Sequence, residues 1–151
     1  MQALTLRQPW ACLVVAGIKD VENRTWRTNH RGRLVIHAGS AIDREVMDEH
    51  GRLLADCPRG AILGTVELVD IVRDSASPCA IAGNWHWLLD DPPPFVMPIR
   101  ATGRLGLWTC EVAEMELAEA SHLCQGLEKR VGPDRRSGRR AIAERKLKKA
   151  K

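Results

Sequence analysis

No apolar run in this 151-residue chain approaches the roughly 18 to 20 residues that a helix needs to cross a bilayer, so membrane association is not expected. The N-terminus has no basic stretch followed by an apolar block and a small-residue cleavage site, and a cytoplasmic location is the expectation. The five cysteines, Cys12, Cys57, Cys79, Cys110 and Cys124, are odd in number and widely separated, with no CxxC pair and no Cys/His cluster at zinc spacing. This argues against a disulfide framework and a zinc module and in favour of free thiols in a reducing compartment. The sequence calls for no metal and no cofactor, and it carries no internal repeat.

What is present is enough for one ordinary domain: 44% of the residues are hydrophobic, and a chain of this length can bury about 70% of its unfolded surface. The formal net charge of +4 conceals a division. From Lys129 onward eleven Lys or Arg stand against Asp134 and Glu144, a net of +9, which leaves −5 for residues 1–128. The segment VGPDRRSGRRAIAERKLKKAK holds few apolar residues and several breakers, so it cannot bury enough surface to offset its ordering entropy. It reads as a flexible basic tail in which Arg135, Arg136, Arg139, Arg140 and Lys146 are candidates for contact with nucleic acid phosphates. Contact of that kind releases counterions and weakens with salt. A merely solubilising tail is the plainer alternative.

Within the body, Gln2 to Leu6 reads as a strand, and a helix follows with Pro9 in its first turn and Gly17 at its end. Trp10, Leu13, Val14 and Gly17 share one helical face. Lys19 to Trp26 and Arg33 to Ala38 read as strands joined in a hairpin by the polar turn Thr28 to Gly32. Ser40 and Asp43 have the form of a capping box for a second helix carrying Val46, Met47, His50, Leu53 and Leu54. Ala61 to Val72, the longest apolar run, is expected to be a central strand bent at Gly64. Arg73 to Ala82 reads as loop, Asn84 to Leu89 as a strand ended by Asp90, Asp91 and three prolines, and Ile99 to Trp108 as two short extended pieces around Gly103. Short strands with two helices and no regular βαβ alternation point to a small barrel-like α+β domain.

The segments RQPWACLVVAGIK, GxKxxExR from Gly17 to Arg24, RTNHRGRLVIHA, GTVELVD, WHW and GRLGLW occur in one order from about Leu4 to Trp108. Together they resemble the ASCH domain, whose fold is related to the PUA barrel. The resemblance implies a PUA-like β-barrel flanked by helices, with a cleft between barrel and helices. It also implies binding of RNA or another nucleic acid and, in some members, hydrolysis of RNA or a modified pyrimidine nucleoside. The organisation expected is an ASCH domain over 1–112, a helical extension over 113–127 and the basic tail over 128–151.

If Lys19 to Trp26 is extended, Glu22, Arg24 and Trp26 fall on one side at period two. An indole offers a stacking face, an arginine a fork of donors, and a carboxylate an acceptor for an exocyclic amine, a combination suited to a nucleoside. The alternative is that Glu22 and Arg24 pair with other charges while Trp26 covers the core. Lys19, just after the helix end, interacts with the helix dipole or serves in a cleft as a phosphate ligand or base. Glu67, among apolar neighbours on its strand, pairs with Arg24 or Arg31 or faces a ligand. His37 is a structural or ligand-contacting histidine, and Trp85 with Trp87 forms core or a stacking platform.

Two functions compete. One is a nucleic-acid module, RNA ahead of DNA by resemblance alone, in which Lys19, Glu22, Arg24, Trp26, Arg31, His37 and Trp85 line the ligand site. The other is a small hydrolase of RNA or acylated nucleosides using Lys19, Glu22 and Glu67. In the branch of the family that removes acyl groups from cytidine, the resemblance places a nucleophilic Thr three residues after the lysine. Here that position is Glu22, which lacks the hydroxyl such chemistry requires.

Overall fold

The structure, a computed structural model, describes residues 1–44, 57–90, 92 and 97–111. In chain order these residues form β1 (Gln2–Gln8), α1 (Trp10–Val15), β2 (Val21–Arg24), β3 (Gly32–Ile42), β4 (Ala61–Val72), β5 (Trp85–Asp90), β6 (Ile99–Arg100) and β7 (Leu107–Thr109). The strands make one seven-stranded sheet in the order β2-β5-β4-β3-β1-β7, with β6 added to β4 at its first two residues.

The middle of the sheet is buried on both faces, and the sequence shows why. In β3 the run Leu34–Ala38 is buried without interruption. Alternation sends Leu34, Ile36 and Ala38 into a large cluster with Leu4, Leu6, Leu63 and Val66, while Val35 joins Ala3, Ile62 and Cys110 on the other side. A strand wanted by both faces reads as a continuous apolar run rather than as a polar/apolar alternation. α1 covers the first face through Ala11, Cys12, Val14 and Val15. It has no side-chain N-cap from Pro9. The fully buried Gln8 substitutes, its Oε1 accepting from Cys12 N–H at 3.2 Å and its Nε2 donating to Pro58 O at 2.5 Å.

Several expectations change. The hairpin of the second and third strands does not form. β2 runs only from Val21 to Arg24 and pairs antiparallel with β5, while β3 pairs parallel with β1 and antiparallel with β4. Ser40 does not cap a helix, because β3 continues through it and Ile42 meets Gln8 of β1. The rest of the second helix, the extension over 113–127 and the basic tail lie outside the described residues. The sheet is not closed into a barrel: β2 and β7 end the order without pairing to each other, and α1 is the single helix among the described residues. β4 is central as expected. It makes an irregular register opposite Ile36 and His37, where Gly64 and then Ile62 are the partners and Leu63 is left over.

Candidate functional site

The way α1 stops decides where Lys19 lies. Gly17 takes φ 67°, its N–H donates to Val14 O at 2.9 Å, and Ile18 N–H donates to Leu13 O at 3.0 Å. This is a Schellman ending, sealed by Ile18 packing in the Leu13 cluster. Lys19 N–H donates to the same Leu13 oxygen at 2.9 Å, so the chain reverses within three residues and turns the lysine inward.

Lys19 is only 4% exposed. Its ammonium donates to Glu22 Oε2 at 2.5 Å and to Val21 O at 2.5 Å, and stands 5.8 Å from the centroid of the Trp10 ring. The other Glu22 oxygen is 3.3 Å from Arg24 Nε, an ion pair without hydrogen-bond geometry, and Arg24 Nη2 donates to Thr5 O of β1 at 3.3 Å. Glu22 and Arg24 are 12% and 23% exposed. The three residues therefore form a line of alternating charge running from the interior toward the surface. Beside it is a cavity of about 50 Å³ whose walls include Lys19, Asp20 and Val66. That volume is well below the range of sites that hold small molecules.

Trp26 and Trp85 stay on the same side of the sheet as this line, as the period-two argument expects for Trp85 opposite Arg24 in the β2–β5 register. Neither indole is a bare platform. Trp26 packs edge-on against the buried Trp87, with centroids 4.8 Å apart, and its carbonyl accepts from Trp87 Nε1 at 3.3 Å. Trp85 already carries two guanidinium groups, with Arg73 Cζ 3.9 Å and Arg27 Cζ 5.0 Å from its centroid.

The remaining candidates are not brought to Lys19. Arg31 is held in its own loop by Asp70 Oδ1, at 2.8 Å from Nη2, and by the carbonyls of Thr28 and His30. His37 is buried under Trp108, with Nε2 against Ala101 O at 3.0 Å and Nδ1 without a partner. A Cβ on Gly103 would come within 2.5 Å of the His37 ring, so that contact depends on glycine. Glu67 makes none of the expected ion pairs, because Arg24 is taken by Glu22 and Arg31 by Asp70. Strand alternation also points it away from Val66, which lines the cavity beside Lys19. Arg135, Arg136, Arg139, Arg140 and Lys146 lie outside the described residues.

Sequence reasoning missed Arg27, Arg73 and His86. One signal was present: from Asn23 to Ile42 there is no carboxylate, while Arg24, Arg27, Arg31 and Arg33 all fall there. Among the described residues no group of three or more His, Cys, Asp or Glu is placed to hold a metal, and no helix is long and apolar enough to cross a membrane. Cys12, Cys57, Cys79 and Cys110 form no disulfide among the described residues. A hydrogen bond with the Cys57 side chain and burial push the Cys12 thiol well above its ordinary pKa, so it stays protonated.

An α+β sheet domain of PUA-like form, with a short helix leading into a charged line beside β2, is the class that fold and site define. The ASCH domain profile matches residues 4–86, more than half of the chain. The chain belongs to the ASCH domain family, one generally linked to RNA binding. It is similar to Activating signal cointegrator 1 of Homo sapiens and of Mus musculus, each 44% identical over 79 residues that cover 44% of this chain. The match spans 14% of the length of those curated relatives. A crystal structure of a mutant ASCH protein from Zymomonas mobilis superimposes with a TM-score of 0.50 at 16% identity, covering 81% of this chain and 96% of that one. That likeness concerns the fold.

Proposed function

We propose that the chain is an RNA-binding module that takes an exposed nucleotide at the outer end of the Lys19–Glu22–Arg24 line. The observation that carries this reading is the bridging Glu22 carboxylate. By holding Lys19 on one oxygen and Arg24 on the other, it fixes a partly exposed guanidinium on the sheet face that also bears Trp85. A pre-oriented guanidinium loses less freedom on meeting a phosphate or base carbonyl than a mobile one does. The nucleotide sits at the mouth of the cleft, since the cavity beside Lys19 is too small for a base. Binding is preferred to hydrolysis because both Glu22 oxygens already face cations, leaving neither to take a proton from water, and because Glu67 lies on the other side of β4.

The basic tail adds affinity without sequence preference, through Arg135, Arg136, Arg139, Arg140 and Lys146. Fluorescence anisotropy with a labelled single-stranded RNA tests both parts. Arg24→Gln weakens binding by roughly tenfold, with a thermal melt close to that of the parent. Changing the four tail arginines to Gln lowers the salt slope by about 0.7 for each phosphate that they neutralise. Unchanged affinity in Arg24→Gln refutes the cleft, and an unchanged slope refutes the tail.

A further inference from the structure

The loop between β4 and β5 carries a feature that the Lys19 line does not use. Arg27 and Arg73 converge on one indole, Trp85, from the β2–β3 and β4–β5 connections. Both are exposed, and among the described residues neither meets a carboxylate at ion-pair distance. Arg73 is steadied by a hydrogen bond from Nη1 to Gly83 O at 3.0 Å, and its guanidinium lies at stacking distance from Trp85. Two like charges brought together on one ring repel each other, and an anion between them removes that repulsion.

Arg73 also lines an open cavity of about 550 Å³, together with Ser75, Gly83 and His86. That size lies in the range of small-molecule sites. His86 is 3% exposed, and its two ring nitrogens differ. Nε2 faces Ile81 O at 2.8 Å, and because a carbonyl only accepts, Nε2 carries the proton. Nδ1 is buried and has no partner, and with no surface open to the cavity it belongs to the wall and not to a ligand contact. The cavity wall is pre-set. Asn23 donates to Cys79 O at 2.9 Å and accepts from Ile81 N–H at 2.8 Å, and Ser77 Oγ donates to Asp20 at 2.6 Å.

We propose that this loop forms a second contact site for single-stranded RNA, with a backbone phosphate held by Arg27 and Arg73 beside Trp85. A phosphodiester supplies the anion that the two guanidinium groups lack. The proposal rests on the RNA-binding reading above and extends it past Trp85 to two arginines outside the Lys19 line.

The test uses the full chain and a labelled single-stranded RNA beside the DNA of the same sequence. The double variant Arg27→Gln/Arg73→Gln is expected to bind RNA on the order of a hundredfold more weakly and to lose about 0.7 from the salt slope, the share of one phosphate, with its thermal melt retained. The DNA of the same sequence is expected to lose affinity by a similar factor in the double variant, because a phosphodiester is common to both. If the parent protein binds RNA while the double variant binds equally well with the same slope, this site is wrong and the RNA-binding reading stands. If the double variant weakens RNA and leaves DNA unchanged, the contact is not to the phosphate and this site is wrong. If the parent binds no RNA, the reading beneath both has failed.

Discussion

Two ion pairs of similar length flank the β2–β3 region and do different work. Lys19 meets Glu22 at 2.5 Å with the side chains 4% and 12% exposed, and Arg31 meets Asp70 at 2.8 Å with the side chains 35% and 55% exposed. In the first pair the charges have left water and depend on each other. In the second, water and salt remain available to both partners. Distance alone would rank them together, whereas burial says that the inner pair holds β2 to the end of α1 and the outer pair only tethers a loop. Arg27 and Arg73 complete the series. They are exposed, without a carboxylate at ion-pair distance among the described residues, and therefore able to serve a ligand.

The strongest way to break this comparison is Lys19→Met. It leaves Glu22 with Arg24 alone and removes the ammonium that Val21 O accepts. Removing one member of a buried pair is expected to destabilise the fold by roughly 3 kcal/mol. Urea denaturation measures this, and a decrease below about 1 kcal/mol would place the inner pair with the outer one. Lys19→Met/Glu22→Gln sharpens the point: with no carboxylate stranded, part of the stability is recovered.

Asn23→Ala comes next in size. The side chain sits on the opposite face of β2 from Glu22 and spans Cys79 O and Ile81 N–H. Two hydrogen bonds to main chain disappear, at about 1 kcal/mol each. Because that bridge shapes the wall beside His86, RNA affinity falls along with stability. A variant that melts earlier but binds RNA with the parent's affinity would detach the loop from the ligand.

What the sequence discloses follows the range of the forces involved. The helix was readable because its signals are local: Pro9 before it, Gly17 after it, and apolar residues at helical spacing between them. β4 and β5 were readable because branched and aromatic residues crowd into runs of strand length. Pairing was not. Adjacent strands around a polar turn usually join as a hairpin, yet β2 pairs with β5, where Glu22 and Arg24 lie opposite Trp87 and Trp85. Ser40 looked like a cap, but its local preference yields to the pairing of β3 with β1, which carries the strand on to Ile42. The site was legible to the same degree. Lys19, Glu22 and Arg24 are close in sequence and are found together, whereas Arg73 reaches Trp85 from a loop whose course depends on Asp20 and Asn23, more than fifty residues from their partners in it.

The outer pair supplies the smallest effect, and its sign can be worked out. The Asp70 carboxyl lies below its ordinary 3.8, first because Ile71 N–H donates to Oδ1 at 2.7 Å and then because Arg31 donates to the same oxygen. A carboxyl whose folded pKa is depressed contributes stability that is present above the unfolded value and is lost as pH falls through the folded one. The window therefore lies below about pH 4. Both partners are exposed, so solvent and salt screen the contribution. Asp70→Asn is expected to melt slightly below the parent at pH 7 and to lose less stability as pH falls through that window, so that the two converge at low pH. Thermal melts from pH 2 to 6 at low and high salt measure the difference, which should shrink as salt rises. A fall at pH 7 as large as that of Lys19→Met would show that the outer pair is structural too, and that burial does not separate the two.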